Sequence, residues 1–299
     1  MKAAASRHHR GYVLLLTLVL LAMVATGLAG IARRSHAAAL EANRLERDAQ
    51  RRWLATSARQ LLPEADQLLI AWNEASATSS ASARAEFDLG HHRVSLTLGD
   101  EQAKANLNTL WTRYDPAVVR AKATALAASS RNGSGSTPHL RPIGAFEAKA
   151  AGTSLDWPAF VSLEQVLTAD GLHRLLQTPS PETSLLDYVT LWGGGRLRID
   201  RASRPALEAV LTPLLSPGQV DRFLAERFEN PPLGSRVTDV SGLRLTDRQR
   251  EQLTGYITAK SSCFSVRLRL DDQRRIYTHL AVRQKAVGSS EASTLRFDW

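Results

Sequence analysis

The sequence predicts an α+β protein: a long N-terminal helix, then short antiparallel strands with a mostly helical block lying between them. Three observations predict it. Residues 12–32 form an apolar run with no Lys, Arg, Asp or Glu, and apolar residues then recur at helical steps as far as Trp72. Residues 86–98 and 265–283 contain apolar and polar residues in alternation, the period of a half-buried strand. The residues between those two regions carry three- and four-residue apolar spacing, the period of helices.

The apolar run comes first. At ~1.5 Å rise per residue its helix covers roughly the ~30 Å hydrocarbon core of a bilayer. It follows a short basic leader with Lys2, Arg7 and Arg10, and a single glycine, Gly11, separates leader from run. A secretory signal peptide is cut after its apolar segment, whereas this glycine stands before it. A cut at Gly11 would leave the helix attached to the mature chain.

Beyond Ala32 the helical spacing continues through Leu40, Leu45, Ala49, Trp53, Leu61, Ala65, Leu68 and Trp72. Pro63 lacks a backbone donor and crowds the preceding turn, so a kink, or a break with restart, is expected there. The Ala/Ser-rich residues 75–85 read as a linker. Val94, Leu96 and Leu98 alternate with Arg93, Ser95 and Thr97 after a turn at Gly90-His91-His92, which predicts a hairpin. Residues 111–130 read as helix, and 129–142, with Asn132-Gly133-Ser134-Gly135-Ser136, as a flexible excursion. Residues 160–176 and 206–228 have helical spacing, interrupted by Pro179, Pro181 and a turn at Gly193-Gly194-Gly195 that feeds a strand. Residues 265–270 and 275–283 predict a second hairpin around Asp271-Asp272-Gln273. The polar residues 288–299 read as a flexible tail.

The charge is +9 over 299 residues, with a pI near 10.2. Its location matters more than its size. Residues 1–52 hold nine Lys and Arg against Glu41, Glu46 and Asp48, a balance of +6, and the other 247 residues hold 29 against 26, a balance of +3. Most of the basicity therefore flanks the apolar run, where anionic headgroups are the nearer partner, and nucleic acid is disfavoured. The distribution does not orient the helix, because Arg33, Arg34 and later arginines outnumber Lys2, Arg7 and Arg10.

One cysteine, Cys263, excludes an intrachain disulfide and a Cys-based zinc site, and its alternating apolar context reads as a buried thiol. There is no H-E-x-x-H, no G-x-S-x-G and no phosphate-binding G-x-x-x-x-G-K-[ST], so no catalytic residue is assigned and the chain is not expected to be an enzyme. His8-His9 and His91-His92 are neighbouring pairs without a third ligand. They read as solvated histidines.

Several segments resemble a known family. Arg10-Gly11-Tyr12-Val13-Leu14-Leu15-Leu16 is similar to the prepilin peptidase site of type IV pilin-like proteins, in which Gly precedes the cut. Leu16 occupies the fifth mature position, where most pilins carry glutamate; the K-type minor pseudopilins of the type II (general) secretion system (GspK family) depart in the same way. Asn106-Leu107-Asn108-Thr109-Leu110 resembles that family's LNLN segment, and Phe160-Val161-Ser162-Leu163-Glu164-Gln165-Val166-Leu167 resembles its F-x-S-L-E-E-L helix start. Gly195-Arg196-Leu197-Arg198-Ile199-Asp200-Arg201-Ala202 resembles its G-R-I-N-V-N-T-A segment, with Asp200 and Arg201 replacing Asn and Thr.

The resemblance implies a pilin-like fold, with a long transmembrane and stem helix packed on a small antiparallel sheet and a large, mainly helical inserted domain. It divides the chain into a prepilin leader (1–11), a transmembrane helix (12–32), a periplasmic stem (33–75), an α/β scaffold (76–110 and 262–287), the insertion (111–261) and the tail (288–299). It implies cleavage between Gly11 and Tyr12 with N-methylation of Tyr12, an inner-membrane anchor with a cytoplasmic N-terminus, and a periplasmic C-terminal region. The implied partners are I-type and J-type minor pseudopilins, other pseudopilins, the prepilin peptidase and the inner-membrane secretion platform. The implied role is at the tip of the periplasmic pseudopilus, where the subunit initiates or caps assembly and supports export of folded proteins. Leu16 fits that place, because it offers no carboxylate to a neighbour's N-terminal amine. No cofactor is implied. Some pseudopilins bind calcium, for which Asp271, Asp272 and Asp239 are oxygen donors without an EF-hand spacing. The alternatives are a minor pilin of a type IV pilus or DNA-uptake filament and, in a different class, a membrane-anchored DNA receptor. The latter would use a helix-hairpin-helix element at 195–211, with a poor hairpin at Leu214-Leu215-Ser216-Pro217-Gly218.

Overall fold

The computed structural model describes residues 7–75, 80–89, 92–114, 116–128, 160, 162–172, 185–229, 245–272, 275–285 and 292–298. The chain divides into two compact units, Met1–Trp53 and Leu54–Trp299. The leader's first six residues, the excursion at 129–142, Pro179, Pro181, Asp239 and the turn residues Gly90, His91 and Gln273 lie outside the described residues.

Within the first unit the described residues belong to helix α1 (Arg7–Leu61), which continues past the unit's end. Its apolar side chains are uncovered: Tyr12 is 69% exposed and Leu21 69%. This is the one described helix long and apolar enough to cross a membrane. Residues 12–31 present apolar side chains on every face of the helix, a surface that matches hydrocarbon rather than water.

The second unit begins in the last turns of α1. A 3₁₀ turn at Leu62–Glu64 follows, and α2 (Ala65–Ala75) restarts the helix. The sequence predicted this break at Pro63. The carbonyl of Pro63 accepts a hydrogen bond from Arg283 Nη1 at 3.3 Å, so the interruption leaves a group that the sheet satisfies.

The sheet contains β1 (Ser82–Leu89), β2 (His92–Asp100), β7 (Cys263–Asp272), β8 (Arg275–Lys285) and β9 (Ala292–Asp298), antiparallel throughout and in the order β1-β2-β7-β8-β9. β2 and β7 pair with Val94 opposite Leu270 and Leu98 opposite Val266. Strands on either side of a long stretch of chain are thus neighbours, and residues 101–262 leave the sheet and return to it. One face packs Val94, Leu98, Val266, Leu268, Leu270, Tyr277 and Ala281 against Leu54, Ala58, Leu62, Ala65 and Leu69 of the helical segment. Each fully buried leucine there contributes about 2 kcal/mol.

The other face carries Cys263, Leu280 and Val282 into a second core shared with the helical block. In chain order the block contains β3 (Ala105–Asn106), α3 (Leu107–Arg113), α4 (Pro116–Ala128), α5 (Leu163–Val166), β4 (Val189–Thr190), β5 (Leu197–Arg198), α6 (Arg204–Leu211), α7 (Pro217–Glu229), α8 (Asp247–Tyr256) and β6 (Ile257–Thr258). β3 pairs with β4, and β5 with β6, in parallel two-residue ladders.

Four expectations need correction. The C-terminal residues are not a free tail, because 292–298 form β9 on the edge of β8. Leu295 and Phe297 pack on the second core, with the Phe297 ring 5.4 Å from that of Trp192. The linker expected at 75–85 gives way to strand from Ser82 onward, where Ala83 is buried against the helical segment and a larger side chain would hold the helix off. Residues 101–110, expected with the sheet scaffold, instead place Ala105, Leu107 and Leu110 in the second core. The continuous helices expected at 160–176 and 206–228 are interrupted. A Ser162/Gln165 capping box starts α5, which ends after one turn as Leu167 turns extended. Thr212–Ser216, with Pro213 inside it, separates α6 from α7.

Candidate functional site

Two places gather the residues singled out in the sequence. The first is the start of α1, where Gly11 and Tyr12 both lie in helical backbone. Tyr12 and Leu16, four residues apart, share a helix face, and both side chains are exposed, Leu16 at 51%.

The second is the junction where the chain leaves and re-enters the sheet. Asp100, the last residue of β2, is fully buried. Its Oδ1 accepts the Gln102 N–H at 3.1 Å, which caps the 3₁₀ turn Glu101–Ala103. Ser261 Oγ donates to the same carboxylate at 2.6 and 2.7 Å, and the Nη1 atoms of Arg198 and Arg201 lie 3.2 and 3.5 Å from Oδ2. Burial is the largest influence on this carboxyl and pushes it above the ordinary carboxylate range. The Ser261 bond, the two guanidinium charges and the Gln102 N–H pull the other way.

Glu101, 2% exposed, binds Lys104 Nζ at 2.6 Å and accepts from the hydroxyls of Thr190 and Ser265, each at 2.5 Å. Its charge is paired and its oxygens are satisfied, the condition under which a buried carboxylate is tolerated. Gln102 accepts from the Ser262 N–H and, at 3.1 Å, from its hydroxyl. Close approach also constrains Gly99. A Cβ there would lie 2.7 Å from Ser265 Oγ and 3.1 Å from both Glu101 Oε1 and Lys104 Nζ.

Asn106 and Asn108 extend the junction into the block. Asn106 caps α3 through the Thr109 N–H at 3.1 Å and donates to the Trp192 carbonyl at 2.8 Å. Asn108 accepts the Phe160 N–H at 2.7 Å and donates to the carbonyls of Phe160 at 2.8 Å and Leu191 at 2.7 Å. The Phe160 ring meets Trp111 edge-on at 5.4 Å. Gly195, at φ +73°, runs directly over the Thr109 side chain, which leaves no room for a Cβ.

Three segments set far apart in the chain, 106–110, 160–167 and 195–202, therefore meet in one place. The two residues that depart from the expected pattern in the last of them are used there. Asp200 accepts from Arg198 at 2.8 and 2.9 Å, and Arg201 lies 3.7 Å from Asp66 as well as beside Asp100. Burial works against the Arg198 charge, but Asp200, Asp100 and Asp66 outweigh it and raise its pKa. Arg227 of α7 fixes the same loop from the other side by donating to the carbonyls of Ile199 and Asp200.

This chemistry is that of a structural clasp. The adjoining cavity, lined in part by Lys104, Thr109, Gly195 and Tyr256, is about 10 Å³, space for at most one water. Cys263 is fully buried, and burial pushes its thiol well up, as does the nearby charge of Glu101. Among the described residues no three His, Cys, Asp or Glu side chains converge as metal ligands. Asp271 lies 3.5 Å from the Arg269 guanidinium, an ion pair within the strand. At the suggested helix-hairpin-helix, Gly218 lies in the first turn of α7 with open space where its Cβ would be, not at a tight backbone approach.

Sequence reading missed Asp100, Glu101, Ser261 and Arg227. Asp100-Glu101-Gln102-Ala103-Lys104 has the composition of an exposed turn, and nothing local marks it as buried.

No protein-family model and no curated protein matches the chain. Among solved structures, it is similar to a chain of the GspK-GspI-GspJ complex from the type 2 secretion system of enterotoxigenic Escherichia coli, with 16% sequence identity, 86% of this chain and 99% of that chain covered, and a TM-score of 0.43.

Proposed function

We propose that this protein is a K-type minor pseudopilin of a type II secretion system, anchored in the inner membrane by α1 with its N-terminus cytoplasmic and its C-terminal region periplasmic. One observation carries the reading: the segments 106–110, 160–167 and 195–202, by which the chain resembles that family, meet at a single buried junction. Prepilin peptidase cuts between Gly11 and Tyr12, Tyr12 is N-methylated, and the uncovered apolar helix enters the pseudopilus. The subunit sits at the tip with I-type and J-type partners on the secretion platform. Leu16 supports the tip, since it leaves no carboxylate for the amine of a subunit above it. The block of residues 101–262 supports it too, because such bulk is hard to repeat along a packed filament. The protein performs no chemistry itself and helps push folded proteins outward.

Co-expression of the full chain with I-type and J-type pseudopilins tests the proposal. All three are expected to purify together from detergent extracts through a tag on one of them. Recovery of this chain alone, with the other two in complex, would contradict it, and so would binding of duplex DNA at physiological salt.

A further inference from the structure

Arg201 follows β5 in the chain and stands between two carboxylates from different elements. Its Nη1 lies 3.5 Å from Oδ2 of Asp100, at the end of β2, and 3.7 Å from Oδ1 of Asp66, in the first turn of α2. A charge-assisted bond closes at about 2.7–2.9 Å, so this one nitrogen is shared and tight on neither. The two acceptors differ. Asp100 is fully buried, whereas Asp66 is part-exposed; the Asp66 Oδ1 is nevertheless buried and accepts no hydrogen bond. Arg198 is fixed by comparison, because Asp200 accepts two bonds from it at 2.8 and 2.9 Å.

We infer that Arg201 is a proton-governed latch between the sheet–block junction and α2: Asp100 and Asp66 share it while Asp100 is ionised, and it passes to Asp66 when Asp100 takes up a proton. The proton has a place to go. Ser261 Oγ lies 2.6 Å from Asp100 Oδ1 and 2.7 Å from Oδ2, and a hydroxyl can turn from donor to acceptor. Burial, the largest influence on Asp100, favours the protonated form. Once Asp100 is neutral, Arg198 keeps Asp200, and Arg201 has Asp66 alone to pair with. The idle Asp66 oxygen then gains its bond, and α2 is held harder to the 195–202 segment.

The other charged and titratable groups facing this place, among the described residues, do not compete for Arg201. Glu101 and Lys104 bind each other at 2.6 Å. The Cys263 thiol of β7 is kept uncharged by burial and by the nearby carboxylates. Arg227 of α7 donates to the carbonyls of Ile199 and Asp200, with Asp200 the charge acting on it. Asp66 also acts on the Arg198 charge, but more weakly than Asp200 and Asp100. All of these groups lie within Leu54–Trp299, so the latch needs no membrane, processing or partner and stands apart from the filament reading.

Urea unfolding of the full chain in detergent, on Asp66→Asn, Asp100→Asn and the double variant, tests the latch. At about pH 8, Asp66→Asn is expected to lower the folding constant less than about twofold in the wild type and about fivefold or more beside Asp100→Asn. Equal costs in the two backgrounds would overturn the inference. With Asp100 native, the cost of Asp66→Asn is expected to grow as pH falls through the folded value of Asp100, and beside Asp100→Asn it is not. A cost that does not grow would also overturn it, and this comparison decides alone should Asp100→Asn fail to fold. Arg201→Gln separates sharing from direct repulsion between the two carboxylates, with Arg201→Met in reserve should Gln not fold. In that background the coupling of Asp66 to Asp100 is expected to shrink by about half or more, and a smaller reduction would overturn the inference.

Discussion

Asn108 holds Phe160 by both of its backbone groups: the side-chain amide accepts the Phe160 N–H at 2.7 Å and donates to the Phe160 carbonyl at 2.8 Å. The same amide nitrogen also reaches the Leu191 carbonyl, at 2.7 Å. One buried side chain thus ties together three segments of the block. Asn108→Ala leaves three buried backbone groups without a partner and is expected to destabilise the protein by about 3 kcal/mol in urea unfolding of the full chain in detergent. Asn108→Asp keeps the acceptor and loses both donated bonds, so it is not expected to rescue. A loss below about 1 kcal/mol for Asn108→Ala would mean that the clasp is not what holds Phe160.

Gly99→Ala tests the crowding beneath Glu101. The new methyl meets Ser265 Oγ and the Glu101–Lys104 pair, and a loss of about 2 kcal/mol is expected. Adding Ser265→Ala removes the nearest atom and is expected to recover part of that loss, so the two effects are not additive. Strict additivity in the double variant would place the strain elsewhere.

The pH response of Asp100 has a definite sign. Its folded carboxyl titrates above the ordinary range, chiefly through burial. The group therefore favours folding most when protonated, at and below the unfolded value near ~3.9, and this contribution is lost as pH rises through the folded value. Asp100→Asn does not titrate. The stability of the wild type relative to that variant is thus expected to fall as pH rises from about 4 through the folded value, in urea midpoints measured on both. A relative stability that rises over that interval would show the Arg198 and Arg201 charges outweighing burial.

Phe297→Ala tests the C-terminal strand. Removal of the ring beside Trp192 is expected to cost about 1–2 kcal/mol, and no change would mean that residues 292–298 are dispensable.

Much of this architecture was legible locally, because its causes are local. The apolar run of α1, the break at Pro63 and the two hairpins follow from periods and from proline geometry within a few residues. The elements missed were those whose reasons lie elsewhere in the chain. Ser82–Ala85 reads as linker until the helical segment that needs small residues beneath it is in place, and 292–298 reads as tail until β8 offers an edge. Leu295 and Phe297 did alternate, but too briefly to stand out from a polar segment. The junction was hardest. Asp100 and Ser261 are separated by 161 residues, as are Gln102 and Ser262 by 160, and no local pattern distinguishes such groups from solvated ones. The short resemblance segments did mark the place, since Asn108, Phe160 and Gly195 belong to them.

Gly11 and Tyr12 are proposed as the processing site of a filament subunit. Intact-mass and N-terminal analysis of the full chain co-expressed with a prepilin peptidase tests it most directly. A mature protein that begins at Tyr12, carries one added methyl group and retains the whole apolar helix is expected. A chain that still begins at Met1 in the presence of active peptidase would contradict it.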